Sequence, residues 1–147
     1  MKVEIFSLCD FASADAAGKL NIIGVFDTIH ASQAPVVHGF CFLATRIRFE
    51  KIEEGLKKFK ISFVDIDGKP IMPVVEAQVQ VRLAPNAQHA IAQVVSAMWQ
   101  IKLPCFGEYS IDLAIDGRQE ASTPLYVRQL PLLPPLPQLP PPEAMPT

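Results

Sequence analysis

The sequence predicts an all-β protein, an antiparallel β-sandwich of about eight strands. Three observations predict it. Segments that alternate apolar and polar residues follow one another at short spacing, with turn residues between them. No stretch carries a competing helical period. The cleanest segment, Leu103 to Val127, reads as two strands joined at Asp116-Gly117, a pair suited to a type I′ turn because both central residues need φ > 0.

The first strand spans Lys2 to Phe11, with Val3, Ile5, Cys9 and Phe11 on one face. A turn at ASADAAG leads to the second, Lys19 to Ile29, which is apolar on both faces and so suits a central position. Gly24 within it marks a bulge or a close approach of another part of the chain. The third, Gly39 to Glu50, turns Cys41, Leu43, Thr45, Ile47 and Phe49 inward. KIEEG then closes a hairpin onto the fourth, Leu56 to Ile66, with Phe59, Ile61 and Phe63 inward. After Asp67-Gly68 and two prolines come the fifth strand, Val75 to Leu83, and the sixth, Ala90 to Leu103, which buries Ile91, Val95, Trp99, Ile101 and Leu103. The hairpin around Asp116-Gly117 supplies the last two. Pro124 makes the final one an edge strand, because proline has no N–H for a ladder.

Leu103, Pro104, Gly107 and Tyr109, followed by alternating apolar residues, resemble the tyrosine corner of immunoglobulin-like domains. That resemblance implies an immunoglobulin-like sandwich, with a jelly roll as the alternative. Over most of its length the chain also resembles a family of small uncharacterised bacterial proteins, a domain of unknown function. The residues that carry the likeness are CDFA at Cys9 to Ala12, GKLNIIGVFDTI at Gly18 to Ile29, RIRFE at Arg46 to Glu50, DIDGK near Asp67, and GEYSIDLAIDG. The family implies an all-β domain and brings no functional residues with it.

The 147 residues divide into a β-sandwich domain over 1–128 and a proline-rich tail over 129–147. A net charge of −2 argues against a dedicated nucleic-acid binder, which needs a basic excess to displace counterions. No apolar run approaches the length of a membrane span, and the start lacks a secretory h-region, so the expected location is the cytoplasm. Cys9, Cys41 and Cys105 are three, widely spaced, and read as reduced buried thiols.

Six of the thirteen basic residues fall on the third and fourth strands. In a hairpin, Phe49 pairs with Phe59 and Ile47 with Ile61, which brings Arg46, Arg48, Lys58 and Lys60 onto one outer face. Like charges directly across a sheet destabilise it, so the face is either an anion or acidic-ligand site or a solvated surface whose side chains splay apart. Asp65 and Asp67 before Gly68 resemble the opening of a calcium loop without its closing glutamate, and a turn is the plainer reading. Asp27 beside Asp10 is the one acidic pair that suggests a perturbed acid, against a backbone-capping role. His30, His38 and His89 lack ligand-like spacing, and no catalytic motif occurs, so no catalytic residue, metal ligand or cofactor is expected.

The tail holds eight of the fourteen prolines and repeats P-x-x-P at Pro131, Pro134, Pro137 and Pro140. Such a chain is a preformed polyproline II rod suited to an aromatic-lined groove, or else an unstructured extension. The sequence therefore points to a non-enzymatic interaction or assembly module, whose partner is another protein or a second copy met through a sheet edge or the tail. The anion-binding face is the alternative, and an enzyme using Asp10 and Asp27 the least favoured.

Overall fold

A computed structural model of the chain describes residues 1–131 and 133–138. Nine strands are found there: β1 (Lys2–Ala14), β2 (Leu20–Val25), β3 (Thr28–Ala31), β4 (Val36–Glu50), β5 (Gly55–Asp65), β6 (Val75–Val81), β7 (His89–Leu103), β8 (Gly107–Ile115) and β9 (Arg118–Gln129). They form a four-stranded sheet in the order β2-β1-β4-β7 and a five-stranded sheet in the order β3-β9-β8-β5-β6. β1, β4 and β7 occupy the places of strands A, B and E of an immunoglobulin-like domain, and β9, β8 and β5 those of G, F and C. The sandwich is therefore immunoglobulin-like rather than a jelly roll. Among the described residues no helix is long and apolar enough to cross a membrane.

Alternation explains most of the core. Leu43, Ile47 and Phe49 of β4 face Phe59 and Phe63 of β5 and Ile111 and Leu113 of β8 across the gap between the sheets, all at 2% exposure or less. Each such side chain contributes roughly 1.5–3 kcal/mol on leaving water. The corner closes as its residues imply. Tyr109 Oη donates to the Cys105 carbonyl at 2.7 Å and accepts from the Cys105 N–H at 3.1 Å, tying β8 to the loop before it. The Asp116-Gly117 turn has φ of 49° and 80°, as a type I′ hairpin requires.

Five expectations are corrected. The second strand is split: Gly24, at φ 69°, ends β2's regular course, and the chain passes through Phe26 to the other sheet as β3. Both pieces are edge strands, not central ones. KIEEG is no hairpin either. Lys51–Glu53 form one 3₁₀ turn that carries the chain from one sheet to the other, so β4 pairs with β1 and β7, and β5 with β6 and β8. β9 is an edge only in its first half, because β3 runs parallel to it from Tyr126 to Gln129. Pro124 lies just before that pairing, where the missing N–H leaves nothing unmet. In β1 a bulge between Val3 and Ile5 shifts the inward positions, so that Leu8 joins the core between the sheets, while Cys9 is buried in a separate cluster. In β7 the inward side changes at Gln100, whose φ is 50°. Met98 and Ile101 both face the core, and Trp99 is turned out at 66% exposure.

Among the described residues Thr45 is the one polar or charged residue that is buried, and its Oγ1 has no hydrogen-bond partner. A buried, unsatisfied hydroxyl costs about 1–3 kcal/mol in desolvation. Thr45→Val keeps the shape and removes the hydroxyl, so it is expected to stabilise the fold by about 1 kcal/mol, read as a higher urea midpoint at unchanged slope. A lower midpoint would mean that Oγ1 is hydrogen-bonded after all.

Candidate functional site

The outer face of the four-stranded sheet carries a row of aromatic rings. β4 and β7 pair Phe40 with Trp99 and Phe42 with Ala97. Because Cys41 and Leu43 point inward, Phe40 and Phe42 must point outward. Successive ring centroids lie 5.3 Å apart for Phe11 and Phe42, 4.8 Å for Phe42 and Phe40, and 5.2 Å for Phe40 and Trp99. The first two contacts are edge-to-face and the third is tilted at 41°, which leaves notches between rings rather than a flat plate.

The β1–β2 hairpin sets the row's other end. Phe11 pairs with Ile23 and Cys9 with Val25, so the hairpin adds two exposed aliphatic residues beside Phe11. Its far end reaches β7, where Gln93 Nε2 donates to the Gly18 carbonyl at 2.9 Å. Ala44, outward-facing by alternation, is thereby wholly covered, in a small second cluster with Cys9 and Ala12 against which Leu20, Ile22, Phe42 and Val95 pack. That cluster holds Phe42 half-buried as the base of the row, while Phe11, Phe40 and Trp99 are 41–66% exposed.

The basic residues come apart. Arg46 and Arg48 lie on the four-stranded sheet, where their Nε atoms stand 3.7 and 3.1 Å from Glu4 Oε1. Lys58 and Lys60 lie on the other sheet, opposite Gln78 and Glu76 of β6. They line a shallow groove of about 550 Å³ together with Glu76 and Gln78. The single four-residue face required a β4–β5 hairpin. Phe49 and Phe59 instead meet across the core, so the two pairs sit on different sheets.

Of these acidic residues, Asp65 serves the backbone, whereas Asp27 bonds a neighbouring side chain. Asp65 Oδ1 accepts from the N–H groups of Asp67 and Lys69, both at 2.9 Å, which is the turn reading of that segment. Asp27 Oδ1 accepts from Thr28 Oγ1 at 2.8 Å where the chain passes between sheets, and the Asp10 side chain lies against Gly24. Among the described residues no group of three His, Cys, Asp or Glu could hold a metal ion. Cys9 and Cys41 are buried, and burial pushes the Cys41 thiol up to about 11, so it stays protonated at neutral pH. Cys105 is exposed, against expectation, because the corner turns it outward while Tyr109 holds its backbone.

Pro131, Pro134 and Pro137 lie beyond β9 in a stretch without strand or helix, and Leu133 and Leu136 there are each 88% exposed. Pro140 falls outside the described residues.

The aromatic row was not anticipated from the sequence, yet one signal for it was present. Phe40-Cys41-Phe42 places two phenylalanines around an inward cysteine, and period two then sends both rings outward. Trp99 gave no such signal, since its exposure depends on the non-glycine φ at Gln100.

The sequence profile of a family of unknown function (DUF6941) matches residues 4–128. No curated protein matches the chain. Among solved structures, an immunoglobulin-like protein from Pseudomonas aeruginosa is similar at 14% identity and TM-score 0.38, with 87% of this chain and 93% of that one covered. An alkylpurine DNA glycosylase from Pseudomonas fluorescens, bound to DNA containing an abasic-site analogue, is similar at 10% identity and TM-score 0.39. That match covers 69% of this chain and 28% of the glycosylase.

Proposed function

The chain belongs to that family of unknown function, and from its surface we propose that it is a non-enzymatic protein-interaction module, cytoplasmic and bacterial, that docks a polypeptide on the outer face of its four-stranded sheet. One observation carries the reading: the continuous row Phe11–Phe42–Phe40–Trp99, flanked by Ile23 and Val25 at 62% and 64% exposure. Contiguous apolar surface of this kind marks binding sites on soluble domains, and aromatic side chains are the usual anchors of interfaces. An outer sheet face in a sandwich is otherwise polar, as it is here around Arg46, Arg48 and Glu4.

The test is capture from lysate with the full chain and with Trp99→Ser as baits, each first shown to be folded by circular dichroism. Polypeptides retained by the first bait are expected to be lost by the second, with affinity weakened about tenfold or more. The retained species should persist at about 0.5 M salt, where an exposed ionic contact would be screened. Equal recovery on both baits would overturn the proposal.

A further inference from the structure

The chain also carries a proline- and leucine-rich segment, a chemistry suited to an aromatic face. Residues 130–138 continue from β9, and their prolines favour a polyproline II rod with three residues per turn and a rise of about 3.1 Å per residue. At that period Leu130, Leu133 and Leu136 fall on one stripe, about 9 Å apart, while Pro131, Pro134 and Pro137 fall on another. Such rods bind grooves lined by aromatic side chains, where rings accept proline and aliphatic side chains at little ordering cost because the rod is already formed. A rod of nine residues spans about 28 Å, enough to cross a row whose ring centroids are 4.8–5.3 Å apart.

We propose that residues 130–138 of one copy dock on the Phe11–Phe42–Phe40–Trp99 row of a second copy. This inference rests on the docking role given to that row above. The rod's point of exit argues for a second copy over the chain's own face. Leu130 N–H donates to the Ala31 carbonyl at 2.9 Å, and Gln129 Nε2 donates to the Ser32 carbonyl at 3.3 Å, so the tail's base is fixed to the edge of the five-stranded sheet. The aromatic row lies on the far side of the other sheet. A stiff rod leaving the first position cannot double back around the sandwich within nine residues. Leu133 and Leu136, each 88% exposed, stand free for a neighbour. Each copy offers one rod and one row, so reciprocal exchange closes a two-fold dimer.

Complementation tests this directly, because Trp99 is the only tryptophan in the chain. Trp99→Ser keeps the tail, loses the row's end ring and contributes no tryptophan emission. A Leu133→Ser, Leu136→Ser double variant keeps the row and loses two of the stripe's three leucines. All substituted side chains are largely exposed, so both proteins should fold. Each alone is expected to sediment as a monomer, and their mixture as a one-to-one complex. Adding the Trp99→Ser protein should shift Trp99 emission to shorter wavelength in a saturable way. A donor carrying all three substitutions should bind about tenfold more weakly or worse. A synthetic peptide of residues 130–138 should give the same shift. No shift at about 1 mM donor, or an equal shift with the triply substituted donor, would overturn the inference. If Trp99-dependent capture from lysate persists in that case, only the identity of the occupant falls. If capture is also indifferent to Trp99, the docking role of the row falls with it.

Discussion

Phe63→Ala is expected to lower the unfolding free energy by about 3–5 kcal/mol, roughly a fifth or more of the stability of an ordinary domain of about 5–15 kcal/mol. Phe63 is 2% exposed, pairs with Ile111 on β8, and meets the Tyr109 ring edge-on at 6.4 Å. It also borders an apolar cavity of about 50 Å³ lined by Leu43, Ile61, Met72 and Met98. Truncation would enlarge that void, and the two ladders on either side of β5 hold the walls apart. Both features place the loss toward the upper end of the range. Urea unfolding checks it. A loss below about 1 kcal/mol would show that the sheets close over the gap.

Gly24→Ala is expected to cost about 2–3 kcal/mol, far more than a surface glycine ordinarily would. Its φ of 69° disfavours any side chain, by roughly 1–2 kcal/mol. The added Cβ would also fall against the Asp10 carboxylate, 2.9 Å from Cγ and 3.1 Å from Cβ. Moving the carboxylate by rotation relieves the first contact and leaves the second tight. The two causes separate in a double-mutant cycle with Asp10→Ala, which removes the carboxylate and keeps Cβ. Asp10→Ala should recover about 1 kcal/mol of the Gly24→Ala loss, and the remainder is the backbone's share. Strict additivity of the two substitutions would show that the contact is irrelevant.

The parts of the fold legible in the sequence are those fixed locally. Asp116-Gly117, the Tyr109 corner and the inward sets of β4 and β5 each follow from a few consecutive residues, and each is found as read. The sheet to which a strand belongs is a different matter. Phe49 and Phe59 face the core whether β4 and β5 pair side by side or lie across the sandwich, so alternation cannot separate the two arrangements. The basic face depended on that choice and was divided by it. β7 shows the second limit, because a single left-handed residue at Gln100 reverses inside and outside without leaving a glycine to mark it. The candidate site was legible only in the phenylalanines around Cys41.

The parallel pairing of β3 with β9 has a kinetic consequence. Thr28 aligns with Tyr126 and Ala31 with Gln129, residues separated by about a hundred positions in the chain. Closing so long a loop is opposed by chain entropy until the intervening strands have ordered, and such non-local ladders make β-sandwiches slow folders, in milliseconds to seconds. This ladder is therefore expected to assemble late. Gln129 and Leu130 acquire their anchor on Ala31 and Ser32 in the same event. Until then the proline segment has no fixed base, so only a molecule that has finished folding aims its tail.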